Sequence, residues 1–175
     1  GLGLDAVSIE EVRTGIKCGY DVKKILFAPN GVNFSEIEEA MTLGVKINLD
    51  SLESIIDFST AYPNQTVSVR INPGVKAGGN ENISVGHVDS KFGITEESID
   101  KIVKMDEEKK IKVTTLHIHT GSDIIENNHF ELGIKKIFLI AHKFKNIETI
   151  DLGGGIKIPY FFGDTETDLN KYAEV

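Results

Sequence analysis

The stretch TTLHIHTGSD, residues 114–123, indicates how this chain folds. In its first half polar and apolar residues alternate, which is typical of a β-strand whose two faces meet different surroundings. Leu116 and Ile118 then share one face, which we expect to meet a layer of helices, while His117 and His119 share the other. The small and polar residues of the second half predict the loop that ends this strand.

Five further strand-like segments are present, and helix-like segments separate them. The six predicted strands span residues 5–8, 25–29, 45–49, 67–72, 114–119 and 148–152. Strands that alternate with helices are typical of βα units and a parallel sheet. No Gly-x-Gly-x-x-Gly follows the first strand, which disfavours a doubly wound dinucleotide-binding sheet. Because a complete barrel has roughly 250 residues and this chain has 175, we predict an α/β fold, an incomplete (β/α)8 TIM barrel of about six βα units.

The predicted helices carry signals at both ends. Three pairs combine a capping side chain with an acid three residues later: Ser8 with Glu11, Ser35 with Glu38, and Asp50 with Glu53. Gly19 and Gly44 stand where the first two helices should end. The clearest apolar helix face comprises Phe130, Ile134, Ile137, Phe138 and Ala141. Cys18, the only cysteine, is predicted to be buried on the first helix.

Composition limits the functions open to the chain. Its formal net charge of -8 argues against a nucleic-acid binder with a broad basic face. No run approaches the roughly 18 apolar residues of a membrane-spanning helix, and the first residues do not resemble a signal peptide. We therefore expect a cytoplasmic protein with a small-molecule partner and no nucleic-acid or membrane partner. Since the chain starts without Met and ends on a helix-like pattern, both ends look cut.

Three interpretations of the His117 and His119 pair remain open. A His-x-His pair at a strand end can chelate a divalent metal, although a stable site needs further ligands. The two rings can instead be structural histidines, held by hydrogen bonds inside the barrel. In the third interpretation, which we favour, Gly121 and Ser122 bring a backbone N–H and a hydroxyl to a phosphate, and the ring of His119 lies against a flat cofactor.

A glycine triplet follows the last predicted strand. Gly153, Gly154 and Gly155 come after Asp151 and remove every Cβ where the chain turns, so that backbone amides can surround an anion. A plain tight turn would require the same residues. Barrels hold phosphate groups with small residues at the ends of neighbouring late strands, so we predict that Ser122 and this glycine triplet share one site.

Charged residues also fall within or beside the predicted strands. Arg70 lies in an otherwise apolar strand, so its guanidinium needs a partner, either a structural carboxylate or a group in the site. Asp5 and Asp50 lie at strand ends, and helix capping suffices to explain Asp50. The extra length between the fourth and fifth strands falls in residues 76–93, and a long loop after a strand predicts a contribution to the site.

Several motifs resemble, in the same order, those of the diaminopimelate decarboxylases. They are GLDAVS at residues 3–8, RINPG at 70–74, AGGN at 77–80, DSKFG at 89–93, HIHTGSD at 117–123, DLGGG at 151–155 and IPY at 158–160. The resemblance implies an alanine-racemase-like barrel that binds pyridoxal 5'-phosphate. Residues 1–175 would form part of that barrel domain, without its first and last strands and without the β domain.

The resemblance also implies a role for each matching residue. His119 would stack on the pyridine ring of the cofactor, and Ser122 with the glycine triplet would hold its phosphate. Arg70 would pair with the glutamate that contacts the pyridine nitrogen. Asp5 would lie beside the lysine that carries the cofactor and would help to orient it.

The reaction implied by the resemblance is decarboxylation of meso-2,6-diaminopimelate to L-lysine and CO2, the last step of lysine biosynthesis, in a homodimeric parent enzyme. The cofactor lysine is expected before Gly1, and the Glu-Pro-Gly-Arg and Cys-Glu-Ser-Gly-Asp motifs after Val175, so this chain alone should not decarboxylate. Residues 9–12, IEEV, depart from the Gly-Gly-Glu-Leu usual in the family. The alternatives are an ornithine, arginine or carboxynorspermidine decarboxylase, a metal-dependent hydrolase using His117 and His119, and a non-catalytic decarboxylase-like regulator.

Overall fold

The computed structural model describes residues 2–75, 91–125 and 127–174. All six predicted strands are present, each within a few residues of its predicted bounds. They are β1 Leu4–Ala6, β2 Ile25–Phe27, β3 Lys46–Leu49, β4 Thr66–Ile71, β5 Lys112–Ile118 and β6 Thr149–Asp151. Each strand pairs in parallel with the next one along the chain. The sheet curls into an incomplete barrel, which confirms the predicted α/β architecture.

Five helices connect the strands and cover the outer face of the sheet, and a sixth follows β6. They are α1 Ile9–Lys17, α2 Phe34–Leu43, α3 Leu52–Ala61, α4 Glu96–Glu107, α5 Asn127–Ala141 and α6 Leu169–Ala173. The strand side chains that face these helices are apolar, and Val69, Leu116 and Ile118 are fully buried. They form one hydrophobic core with apolar residues of α1 to α5, and removal of this area from water stabilises the fold.

The inner, concave face of the sheet is polar. Residues that stand in register on neighbouring strands point to the same face. Two successive inner layers are formed by Asn48, Ser68 and Thr115, and then by Arg70, His117 and Asp151. The alternation read from residues 114–123 is therefore confirmed, with the helices on the apolar side and the barrel interior on the polar side.

One predicted capping pair and both predicted stop glycines are confirmed. The hydroxyl oxygen of Ser8 accepts a hydrogen bond from the N–H of Glu11 (3.3 Å) at the start of α1. The Glu11 carboxylate accepts one in return from the N–H of Val7 (2.7 Å). Gly19 and Gly44 follow α1 and α2 with φ of +87° and +78°, a conformation that favours glycine at a helix end.

The other two capping predictions are wrong. The helix α2 begins one residue before Ser35, so that Asn33 is its N-cap residue and Ser35 lies inside the first turn. The helix α3 is capped by Ser51, whose hydroxyl oxygen accepts a hydrogen bond from the N–H of Ser54 (3.2 Å). Asp50 is buried and accepts a hydrogen bond from the side-chain amide of Asn30 instead.

Two burial predictions are also wrong. Phe138 on α5 is 51% exposed, because Phe130, Ile137 and Ile140 occupy the face that meets the core. Position 138 is rotated by about 100° from position 137 on an α-helix and therefore turns to the outside. Cys18 is exposed, because α1 ends at the preceding residue and places Cys18 at its C-cap.

Candidate active site

The loops that follow β5 and β6 lie against each other at the carboxyl end of the sheet. The N–H of Ile124 donates to the carbonyl oxygen of Gly155 (2.9 Å), and the N–H of Lys157 donates to the carbonyl oxygen of Ile124 (3.0 Å). These hydrogen bonds join the loop that carries Ser122 to the segment that carries the glycine triplet. The structure thus brings the two predicted phosphate-binding segments together.

Two of the three triplet positions require glycine. Gly153 and Gly155 have φ of +69° and +90°, which L-residues rarely adopt. A Cβ on Gly155 would lie 1.8 Å from the carbonyl oxygen of Gly121, and a Cβ on Gly153 would lie 2.4 Å from that of Ile118. A Cβ on Gly154 would have no neighbour within 4 Å. The close approach of the two loops therefore explains the first and third glycines.

The imidazole of His119 stands against this turn. Its Nδ1 accepts a hydrogen bond from the N–H of Gly154 (3.3 Å), so the neutral ring carries its proton on Nε2. Burial, followed by the positive charge of Arg70, lowers the pKa of His119. The site therefore presents a partly buried, neutral aromatic ring beside a turn of backbone amides.

Asp151 links the end of β6 to the glycine triplet. Its Oδ1 accepts a hydrogen bond from the N–H of Gly153 (2.8 Å). Its backbone stands in register with His117 on β5, so both side chains point into the barrel. The carboxylate therefore shapes the turn from the inner face.

His117 belongs to a buried hydrogen-bonded chain that the sequence analysis did not identify. Its Nδ1 lies 3.1 Å from Nδ2 of Asn48, and Oδ1 of Asn48 accepts a hydrogen bond from the hydroxyl of Ser68 (2.7 Å). Burial lowers the pKa of His117 to about 4, against the raising effect of Asp151. The only sequence signal was that Asn48 and Ser68 each interrupt an apolar strand. His117 is thus held by a hydrogen bond inside the barrel, and the ring next to the glycine triplet is that of His119.

Arg70 packs on an aromatic ring. Its Cζ lies 4.7 Å from the ring centre of Phe92. Gly93, with φ of +81°, comes so close to β4 that a Cβ there would lie 2.7 Å from a backbone nitrogen at the strand end. Burial lowers the pKa of Arg70, while the charges of Asp50 and Asp5 raise it.

The sequence left the partner of Arg70 open between a structural carboxylate and a group in the site. The ion pairs formed among residues 2–75, 91–125 and 127–174 do not include its guanidinium. The pairing with a glutamate implied by the resemblance stays a prediction. Of the long loop predicted to shape the site, residues 76–90 lie outside the described residues, and residues 91–93 lie at the end of β4 beside Arg70.

Asp5 lies on the inner face of β1, at the opposite edge of the curled sheet from Asp151. Desolvation by its surroundings, followed by the negative charge of Asp151, raises the pKa of Asp5, while Arg70 lowers it. The charges of Asp151 and Arg70 thus act on Asp5 from the other side of the curled sheet and from its middle. The predicted role of Asp5 beside a lysine is untested.

Among the described ranges, no three His, Cys, Asp or Glu side chains come together in a group suited to a metal ion. The Nδ1 atoms of His117 and His119 both face N–H donors, so a metal could reach these rings only through Nε2. No helix in the described part of the chain is long and apolar enough to cross a bilayer.

The residues present fit a flat, phosphorylated ligand. The Ser122 side chain is exposed on a loop that packs directly against Gly155, and the His119 ring stands beside the same turn. Barrel proteins that bind phosphorylated ligands commonly place small residues at the carboxyl ends of neighbouring strands, and this chain has that arrangement. The pyridoxal binding domain of the pyridoxal-dependent decarboxylases matches residues 1–175, and the chain belongs to this family.

Several diaminopimelate decarboxylases are similar to this chain along nearly its whole length. That of Methanothermobacter thermautotrophicus is 34% identical over 179 residues, which cover 99% of this chain and 42% of the relative. That of Staphylococcus aureus is 35% identical over 175 residues, which cover 93% of this chain and 40% of the relative.

Solved structures agree on the fold. The diaminopimelate decarboxylase of Helicobacter pylori in complex with L-lysine superposes with a TM-score of 0.89 at 26% identity, over 98% of this chain and 46% of that one. The arginine decarboxylase of Paramecium bursaria Chlorella virus shares the fold, with a TM-score of 0.80 at 21% identity, over 98% of this chain and 46% of that one. The chain thus spans less than half the length of these proteins.

Proposed function

We propose that the full-length protein containing this chain is a pyridoxal-phosphate-dependent diaminopimelate decarboxylase. It would remove the carboxylate at the D-configured centre of meso-2,6-diaminopimelate and yield L-lysine and CO2. The observation that carries the proposal is the convergence of His119, Ser122 and the glycine triplet at one edge of a barrel of this family. The names of the relatives support the choice of substrate.

The chain's own residues would bind and orient the cofactor. When bound, pyridoxal phosphate supplies an electron sink for the electron pair that the departing carboxylate leaves behind. The Ser122 hydroxyl and the amides of the glycine triplet would bind the phosphate, because a turn without side chains lets N–H groups close on an anion. His119 would pack on one face of the ring, and its neutral form avoids a second cation beside Arg70.

Charged residues on the inner face would set the position and protonation of neighbouring groups. In the proposal Arg70, whose guanidinium lies over the ring of Phe92, pairs with a glutamate from outside this chain. Asp5 would lie beside the cofactor lysine, also outside this chain, and would orient its ammonium group by a charge-assisted hydrogen bond. Burial and the charge of Asp151 raise the pKa of Asp5, and a cationic neighbour would lower it again.

The proposal extends to the assembly and location of the protein. The resemblance supports a homodimer in the cytoplasm, with active sites shared between the two subunits. Light scattering of the full-length protein during gel filtration should give twice the mass of one chain, and a monomer that retains full activity would contradict the shared site.

The test of the proposed reaction is a direct assay. Purified full-length protein with pyridoxal phosphate should release CO2 from meso-2,6-diaminopimelate and form L-lysine. The variant Ser122→Ala should weaken binding of the cofactor by about tenfold, since it removes one hydrogen bond to a charged phosphate. The matched control is Ser35→Ala, an exposed serine on α2, which should leave the binding constant unchanged.

The same assay separates the alternatives. If ornithine, arginine or carboxynorspermidine is turned over faster than diaminopimelate, that compound is the substrate. The protein would then still be a pyridoxal-phosphate-dependent decarboxylase. Cofactor binding without decarboxylation of any of these compounds would favour a non-catalytic regulator. Activity that needs an added metal ion and no pyridoxal phosphate would overturn the proposal.

A further inference from the structure

A chain of three buried polar side chains crosses the inner face of the sheet. Ser68 on β4, Asn48 on β3 and His117 on β5 are 4%, 1% and 5% exposed. The hydroxyl of Ser68 donates to Oδ1 of Asn48 (2.7 Å), and Nδ2 of Asn48 lies 3.1 Å from Nδ1 of His117. Three strands are therefore joined by side chains as well as by their backbone ladders.

The direction of this chain determines the tautomer of His117. An amide nitrogen can only donate a hydrogen bond, so Nδ1 of His117 must accept it and carry no proton. In the structure the Asn48 amide turns its Oδ1 toward the donating Ser68 hydroxyl and its Nδ2 toward His117. The neutral ring then carries its one proton on Nε2.

The neighbours of His117 on the inner face are residues of the candidate active site. In register on either side stand Arg70 on β4 and Asp151 on β6, and His119 follows two residues later on the same face. Asp5 completes the set of charged groups that influence this part of the barrel mouth. A neutral N–H donor at this point can bind an anionic oxygen without adding a charge next to Arg70.

We propose that Asn48 is a positioning residue of the active site that holds His117 as the neutral Nε2–H tautomer. The Nε2–H group of His117 is then the hydrogen-bond donor on the inner face between Arg70 and Asp151. The inference deepens the proposed function and rests on it for the ligand, an anionic oxygen of the cofactor or of the substrate carboxylate. Asn48 acts through His117 and has no assigned contact with either compound.

The tautomer can be measured directly in the wild-type protein. In full-length protein with 15N-labelled histidine, the His117 resonances, assigned by their loss in His117→Gln, should show an unprotonated Nδ1 and a protonated Nε2 at pH 8. A shift of the Nε2 signal on addition of pyridoxal phosphate alone would assign the oxygen to the cofactor. A shift only when L-lysine follows would assign it to the carboxylate.

The variant Asn48→Asp should reverse the tautomer. A carboxylate can only accept, so Nδ1 of His117 should become protonated, the pKa of the ring should rise, and cofactor affinity should fall by about tenfold. Asn33→Asp at the exposed start of α2 is the matched control and should change none of these. A merely structural role for Asn48 would lower stability without moving the proton.

The outcomes separate this inference from the proposed function. A protonated Nδ1 in the wild-type protein overturns the inference even if Asn48→Asp fails to fold. An unchanged tautomer in a folded Asn48→Asp variant overturns it as well. The expected tautomer in a protein that never binds pyridoxal phosphate would support the role of Asn48 and contradict the proposed function.

Discussion

The outer and inner faces of the sheet are built from alternate residues of the same strands, yet they are stabilised in different ways. On the outer face, Val69 and Leu116 are fully buried under helices as members of the hydrophobic core. On the inner face, Ser68 and His117 are almost as deeply buried, and each has a specific hydrogen-bond partner in Asn48.

The difference concerns what each face requires of a side chain. The outer face needs apolar volume of about the right size, so similar hydrophobic residues can replace one another with little loss. The inner face needs donors and acceptors in a fixed arrangement, because a buried polar group without its partner is destabilising. We expect substitutions on the outer face to change stability and substitutions on the inner face to change chemistry.

The largest expected effect is on the outer face. Leu116→Ala should lower the free energy of unfolding by about 2–5 kcal/mol, since it leaves a cavity at a fully buried position. Urea denaturation of the full-length protein measures this, and Leu116→Met should lose less than about 1.5 kcal/mol. At substrate saturation the folded fraction should keep its activity. A loss of activity in fully folded Leu116→Ala would contradict the expectation that substitutions on the outer face change stability and leave the chemistry intact.

The second prediction concerns the turn at the rim of the inner face. Gly155→Ala should destabilise the protein by about 3 kcal/mol, because alanine is strained at φ of +90° and its Cβ would overlap the carbonyl oxygen of Gly121. It should also abolish the absorbance of bound cofactor. Gly154→Ala is the matched comparison and should change stability by less than about 0.5 kcal/mol. Equal effects of the two substitutions would refute the assignment of distinct roles to the glycines.

The third prediction is a dependence of stability on pH that originates on the inner face. Burial holds the pKa of His117 at about 4, below the 6.5 usual for histidine, so between these values the unfolded chain binds a proton that the folded chain does not. Stability should therefore fall as the pH is lowered from 6.5 to 4, by up to about 3 kcal/mol from this group. The control His117→Gln should show a shallower slope in denaturation curves over this range. An identical slope in the two proteins would contradict the buried neutral ring.

The smallest expected effect lies in the helical layer. Ser8→Ala removes the hydroxyl that caps α1 and should destabilise the protein by about 1 kcal/mol, without a change in cofactor affinity. Asn33→Ala at the start of α2 should have less effect, since Asn33 makes no side-chain capping bond. Thermal unfolding of both variants tests the comparison, and a larger shift for Asn33→Ala would reverse it.

Much of the fold could be predicted from the sequence because strand periodicity is local. The alternation around Leu116 and the glycines at positions 19 and 44 report on a few neighbouring residues, and these predictions are confirmed. The capping roles of Ser35 and Asp50 were predicted wrongly, because a helix can begin at either of two adjacent residues and packing of the loop chooses between them. The exposure of Phe138 was missed for a similar reason, since a shift of one position along α5 decides which apolar residue meets the core.

The candidate site was predicted in part. His119, Ser122 and the glycine triplet belong to contiguous motifs, so their proximity followed once two neighbouring strands were assigned. The contact between Arg70 and Phe92 joins residues more than twenty positions apart along the chain. No local sequence pattern predicts such a contact.

The amino-acid sequence alone determined the six parallel strands, the apolar outer face and the segments proposed to bind the cofactor, because periodicity and motif spacing are properties of short stretches of chain. Only the tertiary structure decided which nitrogen of each imidazole carries the proton, which glycines are sterically required and which residue stands behind His117. Those features depend on distances between strands that are remote in sequence. Such distances are set only when the sheet has curled and its polar side chains have formed their hydrogen bonds.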